Sequence, residues 1–179
     1  MEAKIPQVCT KCLGPIDKMG RTTAPTKVAK FTGPSLATDA LVLRKHKTDD
    51  FHDILLITRG KDPFKGKMAF LGGFVDYNEE PLVGCLRELE EECNLHGKNP
   101  ELVTVCGDPK RDPRKHIVTF CYKIEVDEAA KAKAGDDAAT AKFYPLNEVI
   151  KKKDGFAFDH HEIIKTYICE HYPQYSKLV

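Results

Sequence analysis

The sequence lacks an excess of either charge, since 28 lysines and arginines oppose 27 aspartates and glutamates for a net charge of +1. A basic surface of the kind that binds nucleic acid or anionic membranes is therefore not expected. Long apolar runs are also missing, which argues against a membrane-spanning helix. The N-terminal residues lack the apolar core of a signal peptide, so we expect a cytoplasmic protein.

The seven cysteines do not indicate a disulfide framework, because their number is odd and most of them lie in apolar patterns. Cys9 and Cys12 have the C-x-x-C spacing of a zinc site. A structural zinc site needs four ligands, however, and no second pair lies nearby. An unliganded pair of reduced thiols is therefore favoured over zinc.

The sequence does contain alternating apolar segments, which predict an α/β domain that follows an N-terminal extension. Glycine and proline punctuate residues 1–34, as is typical of an extension, and residues 35–179 form the predicted domain. Strands are predicted at residues 36–44, 53–59, 68–71, 101–106, 116–124 and 141–146. Helices are predicted to begin at Pro81 and, with Asp159 as N-cap, near residue 160. Helices on both sides of a mixed sheet give a three-layer α/β/α sandwich.

The stretch Gly72–Leu95 is the most informative part of the sequence. It predicts a glycine turn followed by one amphipathic helix. Apolar residues recur at helical spacing and should pack on the sheet, namely Leu82, Cys85, Leu86, Leu89 and Cys93. Glu88, Glu91 and Glu92 share a second face of the helix. A divalent cation would relieve their repulsion, and oxygen ligands suit Mg²⁺ or Mn²⁺. A solvated acidic face is the alternative interpretation.

From Gly73 the pattern reads G-x5-E-x7-R-E-U-x-E-E-x-N-U, where U is an apolar residue. It resembles the signature of the Nudix hydrolase family at every defined position except the final glycine, which is Asn94 here. Asparagine also suits the left-handed end of a helix, so the departure is mild. The resemblance implies a three-layer α/β/α fold and metal-dependent hydrolysis of a diphosphate linkage in nucleoside diphosphate derivatives.

The resemblance also implies roles for individual residues. Glu91 and Glu92 are implied to be the principal metal ligands and catalytic carboxylates, and Glu88 and the carbonyl group of Gly73 are implied to complete the metal shell. Arg87 is implied to pair with carboxylates and to orient them, a task that suits a planar guanidinium.

Two further roles are less closely defined by the resemblance. Glu79 is expected to support the site without being a main ligand. The general base is left open between Glu92 and an acidic residue of the loop after the helix, where Asp136 and Asp137 lie. For the loop aspartates, a solvated turn is the alternative interpretation.

Three later segments resemble the shorter type of ADP-ribose pyrophosphatase, and they lie at residues 107–115, 135–139 and 158–161. ADP-ribose is therefore the substrate that the resemblance implies, with AMP and ribose 5-phosphate as products. The residues expected to bind its phosphates are Arg59, Arg111 and Arg114. Surface salt bridges are the alternative interpretation for each of them.

Two other functions stay open at this stage. One is a hydrolase of oxidised nucleoside triphosphates, which would release pyrophosphate. The other is a non-catalytic sensor with the Nudix fold that binds ADP-ribose. The expected partner in each case is a small nucleotide, and the sequence leaves a homodimer open.

Overall fold

A computed structural model describes residues 33–46, 52–132, 138–172 and Tyr175, and the following description concerns these residues. Its strands form one mixed sheet and are β1 (Ser35–Lys45), β2 (His52–Arg59), β3 (Met68–Ala69), β4 (Leu71–Phe74), β5 (Lys98–Cys106), β6 (Ile117–Glu125) and β7 (Ala138–Pro145). Its helices are α1 (Pro81–Cys93), α2 (Leu146–Val149) and α3 (His160–His171), with a 3₁₀ turn at Lys153–Gly155.

Strand β1 lies inside the sheet, since both of its edges are paired. One edge pairs in parallel with β6, which in turn pairs antiparallel with β5. The other edge pairs antiparallel with β4 at residues 37–40 and with β2 at residues 43–45. Strand β2 pairs with β7 on its far edge. Buried apolar side chains fill the middle of both β1 and β2, as their sequences predict.

Strands β1 and β2 diverge after three residue pairs, and the chain segment of β3 and β4 fills the gap between them. Strand β3 pairs with β2 at residues 57–58, and β4 pairs with β1. This pairing sets Gly72 opposite Asp39 and Gly73 opposite Thr38. The two glycines therefore lie inside the sheet, at the point where the two long strands separate.

Helix α1 forms where the sequence predicts it and covers one face of the sheet. Pro81 occupies its first turn, where the missing N–H of proline leaves no bond unmade. Asn94 ends the helix in the left-handed conformation, with φ of 53°, and donates its N–H to the carbonyl oxygen of Glu90. Its buried side chains are Cys85, Leu89 and Cys93, whereas Leu86 is only partly buried.

Helix α3 covers the opposite face, so the predicted three-layer α/β/α fold is confirmed. Its buried apolar side chains are Ile163, Ile164, Tyr167 and Ile168, which pack in a second core with residues of β1 and β2.

Two local expectations were wrong. Cys169, which helical spacing predicts on or near the same face as Ile163, Ile164, Tyr167 and Ile168, is exposed. The Asp159 side chain makes no capping hydrogen bond at the start of α3, because it binds an arginine instead.

The cysteines that the structure describes all carry free thiols, and they are Cys85, Cys93, Cys106, Cys121 and Cys169. Cys9 and Cys12 lie outside the described residues. No helix in the described part of the chain is long and apolar enough to cross a membrane.

Candidate active site

A cleft of about 440 Å³ opens where β1 and β2 separate. Its walls come from β1, β4, α1, the loop between β5 and β6, and the start of α3. Carboxylates of α1 form one side of the cleft, and arginines of β2 and the β5–β6 loop form another. The fold therefore brings together acidic and basic groups that the sequence keeps far apart.

The acidic side contains Glu88 and Glu92, both of which line the cleft. Gly73 lies directly against Glu88, since a Cβ atom at position 73 would collide with the Glu88 carboxylate. Only glycine allows the carboxylate to approach the strand this closely. Glu91 is one helical position away from Glu92, is not among the lining residues, and leaves 61% of its side chain exposed.

Arg87 joins the carboxylates of this region into one network. Its Nε and Nη2 donate to the two oxygens of Glu79 at 2.8 and 3.0 Å, a bidentate pair. Its Nη1 donates to Glu88 Oε1 at 2.9 Å and to Glu91 Oε2 at 3.1 Å. The hydrogen bonds from Arg87, helped by the N–H of Asp76, lower the pKa of Glu79 to about 2. Glu79 is therefore joined to the carboxylates of α1 through Arg87, and its supporting role in the site stays a prediction.

Arg59, Arg111 and Arg114 all line the cleft. The Nε of Arg59 donates to the carbonyl oxygen of Pro63 at 2.7 Å. Burial, and then the nearby positive charge of Arg114, lower the pKa of Arg59 below its usual value. Arg114 is bound to the Asp112 carboxylate and is still 45% exposed. Two guanidinium groups that repel each other in one cleft would both be stabilised by an anion between them.

Arg111 differs from the other two arginines because all three of its nitrogens have acceptors. Its Nε lies 2.8 and 2.9 Å from the two oxygens of Asp159. Its Nη1 donates to Thr119 Oγ1 at 2.8 Å, and its Nη2 lies 3.3 Å from Asp39 Oδ2. Only 9% of the side chain is exposed. Arg111 is therefore a fixed positive charge in the wall of the cleft, and its contact with a substrate stays a prediction.

Sequence reasoning missed Asp39 and named His160 only within the segment 158–161, and the structure brings the two residues together. His160 Nδ1 accepts the N–H of Phe70 at 2.9 Å, and His160 Nε2 lies 3.3 Å from Asp39 Oδ2. Burial acts to raise the pKa of Asp39, but His160 and Arg111 outweigh it, so the pKa falls below its usual value. The available signals were an acidic residue within β1, whose middle is buried, and the segment 158–161 that contains His160.

The described residues do not place every sequence candidate in the cleft. Asp136 and Asp137 lie outside the described residues, so the candidate base in that loop stays a prediction. Phe31, Phe51 and Tyr77 were candidates from the sequence for stacking on the adenine of the substrate. Tyr77 is 94% exposed and does not line the cleft, and Phe31 and Phe51 lie outside the described residues. Of the two candidates for the general base, Glu92 is the one that the described structure places in the cleft wall.

The carboxylates of α1 suit a hard divalent cation in their chemistry. Glu88 and Glu92 line the cleft, and Glu88 lies against Gly73, where only glycine leaves room for it. Oxygen donors of this kind suit Mg²⁺ or Mn²⁺. Among the described residues no three acidic, histidine or cysteine side chains already stand at ligand spacing. Arg87 bonds to one oxygen each of Glu88 and Glu91, so a cation could bind the second oxygen of each carboxylate while Arg87 holds the first.

Comparisons with known proteins agree with this geometry. A family model, the NUDIX domain, matches residues 34–167. The ADP-ribose pyrophosphatase of Methanocaldococcus jannaschii is 38% identical over 142 residues, which is 79% of this chain and 78% of the relative. The crystal structure of a MutT/nudix family protein from Enterococcus faecalis superposes with a TM-score of 0.70 at 30% identity, covering 85% of this chain and 70% of that one.

A further solved structure is the NUDIX domain of Shewanella oneidensis NrtR in complex with ADP ribose. It superposes with a TM-score of 0.69 at 28% identity and covers 78% of this chain and 90% of that domain. The chain therefore belongs to the Nudix family. Within that family it is a Nudix hydrolase, as its sequence signature predicted.

Proposed function

We propose that this Nudix hydrolase cleaves the diphosphate linkage of nucleoside diphosphate derivatives, with ADP-ribose as the preferred substrate and AMP and ribose 5-phosphate as products. The observation that carries the proposal is the opposition, across one cleft, of the carboxylates of α1 and the guanidinium groups of Arg59 and Arg114. The similarity to the M. jannaschii enzyme supports the choice of ADP-ribose.

In the proposed mechanism, Arg59 and Arg114 hold the two phosphates, and Arg111 adds a fixed positive charge beside them. Glu88, Glu91, Glu92 and the Gly73 carbonyl group would hold Mg²⁺, or Mn²⁺ in its place. Such a cation, when bound, neutralises charge on phosphoryl oxygens and makes water a better nucleophile near neutral pH.

The remaining steps are assigned to the protein's own side chains. Glu92 lines the cleft and is proposed to accept the proton of the attacking water, with Asp137 as the alternative. Arg87 is proposed to keep the carboxylates of α1 in place through its bonds to Glu79, Glu88 and Glu91.

The direct test is turnover of a panel of nucleotide derivatives with Mg²⁺, with products identified by mass spectrometry and with ¹⁸O-labelled water as the nucleophile. We expect AMP and ribose 5-phosphate from ADP-ribose, with the label in only one of the two products. Chelation with EDTA should abolish the reaction, and added Mg²⁺ or Mn²⁺ should restore it.

The same panel separates the proposal from its two rivals. Preferential release of pyrophosphate from an oxidised nucleoside triphosphate would favour the alternative function, a hydrolase of oxidised nucleoside triphosphates. ADP-ribose bound in calorimetry without any turnover would favour a sensor. The sensor is worth testing because a similar structure, the NUDIX domain of NrtR, is a complex with ADP ribose. In this chain, however, all carboxylates of the signature are present.

Arg87→Lys is expected to lower kcat about tenfold, because lysine cannot make the bidentate pair with Glu79 and also reach Glu88. Steady-state kinetics on ADP-ribose would measure the change. Arg44→Lys is a matched control, since Arg44 also pairs with a carboxylate, that of Asp53 at 2.9 Å, but does not line the cleft. Equal kcat values for the two variants would contradict the role proposed for Arg87.

Three properties outside the cleft are also proposed. Residues 1–34 are an extension of the domain at 35–179, the protein is cytoplasmic, and its partner is a small nucleotide, with a homodimer compatible with the sequence. Limited proteolysis would test whether residues 1–34 are an extension of the domain. The mass of the native protein in solution would test whether it forms a homodimer.

A further inference from the structure

Two adjacent histidines begin α3, and only the first of them reaches the cleft. His160 is 2% exposed and lines the cleft, whereas His161 is 8% exposed and does not. Each ring is anchored to the backbone of another segment: His160 Nδ1 to the N–H of Phe70 at 2.9 Å, and His161 Nε2 to the carbonyl oxygen of Ile150 at 2.7 Å. His161 can therefore serve as a control for His160, because the backbone anchors both rings but only His160 also lines the cleft.

The further contact of His160 is to Asp39. Because the N–H of Phe70 can only donate, Nδ1 of His160 is the unprotonated nitrogen, and the proton of the neutral ring lies on Nε2. That nitrogen lies 3.3 Å from Asp39 Oδ2. The His160 ring also stacks on Phe70, with centroids 4.6 Å apart and planes 16° apart. The ring is thus held by Phe70 on one side, and on the other its Nε2 lies in electrostatic contact with the buried Asp39 carboxylate, although outside hydrogen-bond geometry.

Asp39 Oδ2 is also 3.3 Å from Arg111 Nη2, so one carboxylate oxygen links His160 to the arginine of the cleft wall. The residue before His160 contacts the same arginine directly, since Asp159 pairs with Arg111 at 2.7 Å. The start of α3 therefore holds Arg111 in two ways, through Asp159 and through the bridge from His160 to Asp39.

We propose that His160 is a positioning residue that fixes Arg111 in the wall of the cleft. This proposal rests on the proposed function, in which the wall faces the phosphates of the substrate. Without the His160 ring, the start of α3 loses its tie to Phe70, and Asp39 loses one of its two partners. Arg111 then gains freedom of motion, and the cleft loses a preorganised positive charge.

Two substitutions of His160 separate its two contacts. Asparagine places an amide oxygen where Nδ1 lies and can accept the N–H of Phe70, but it is too short to reach Asp39. Glutamine can reach Asp39 with its amide nitrogen, as Nε2 does. His161→Asn is the matched control, because it alters the adjacent buried histidine, whose ring is anchored to the carbonyl oxygen of Ile150.

We expect His160→Asn to raise KM for ADP-ribose about tenfold with little change in kcat, because Arg111 would bind substrate and transition state alike. His160→Gln should retain a KM closer to that of the wild type. His161→Asn should lower the unfolding midpoint without changing KM. A wild-type KM in His160→Asn, or an equal rise in His161→Asn, would overturn the proposal.

A second measurement does not depend on turnover. The guanidinium ¹⁵N–¹H signals of Arg111, identified by their loss in Arg111→Lys, report how firmly the group is held. They should broaden or exchange faster in His160→Asn and stay unchanged in His161→Asn, and unchanged signals in both variants would overturn the proposal. A wild-type protein that fails to hydrolyse ADP-ribose contradicts the proposed function alone, because these signals still decide whether His160 positions Arg111.

Discussion

Replacing Glu92 by glutamine is expected to lower turnover of ADP-ribose about 100-fold or more. Glutamine keeps the size and shape of the side chain but removes the negative charge that would bind a divalent cation and accept a proton. Glu92 lines the cleft, whereas the buried side chains of α1 lie on the face that packs on the sheet. The fold should therefore survive, and the midpoint of thermal unfolding should stay close to the wild-type value.

Glu90→Gln is the matched control, because it makes the same change of charge on the same helix. The Glu90 side chain is 62% exposed, and it lies 3.8 Å from His96 rather than in the cleft. Its turnover should match the wild type when both are measured with saturating Mg²⁺. Turnover in Glu92→Gln as high as in Glu90→Gln would show that this carboxylate takes no part in the reaction.

The same change at Glu91 tests the proposed set of ligands more finely. Glu91 is mostly exposed and bonds to Arg87 through Oε2, so it would bind the cation through its other oxygen if it is a ligand. We expect lower turnover and a higher Mg²⁺ requirement in Glu91→Gln. Wild-type behaviour would reduce the ligand set to Glu88, Glu92 and the Gly73 carbonyl group.

Helix α1 could be predicted because the information that forms it is local. Pro81 and Asn94 mark its ends, and residues three and four positions apart must share a face, which sets the packing stripe and the acidic edge. The neighbourhood of Gly73 and Glu88 follows from the signature itself. The site was therefore foreseen most accurately where one helix and the turn before it supply it.

The bridge from His160 to Asp39 could not be predicted in this way. The two residues come from β1 and from the start of α3, and they meet because β4 enters the gap beside β1 and α3 returns over the sheet. No periodicity within either segment encodes that meeting. An acidic residue inside a buried strand does imply a buried partner, but it does not say which one.

At Asp159, a tertiary contact replaces the local helix-capping bond that the sequence predicts. An aspartate before a helix commonly accepts a backbone N–H, and the sequence predicted that bond. Arg111 instead offers the carboxylate two charge-assisted hydrogen bonds in a half-buried setting. Arg111 does line the cleft, and its predicted binding of substrate stays a prediction, but the three acceptors that hold it were not predicted.

Gly72→Ala is expected to be the most destabilising single substitution proposed for this fold. Gly72 pairs with Asp39 between β4 and β1, and a Cβ atom there would collide with the carbonyl oxygen of Thr38 and lie 3.0 Å from Asp39 Cα. Both are backbone atoms of a paired strand, so no side-chain rotation relieves the clash. We expect a loss of about 3 kcal/mol in the free energy of unfolding, which lowers the thermal midpoint by roughly 10 °C.

Gly107→Ala provides the control, because a Cβ atom at that position meets nothing within 4 Å. Chemical denaturation of both variants, fitted for midpoint and slope, would measure the difference. The damage at Gly72 should also reach the cleft, since the neighbouring Gly73 borders Glu88 and Asp39 contacts both His160 and Arg111. A Gly72→Ala protein as stable as Gly107→Ala would mean that β4 does not enter the gap beside β1. The arrangement that places the carboxylates of α1 opposite the arginines of the cleft would then be wrong as well.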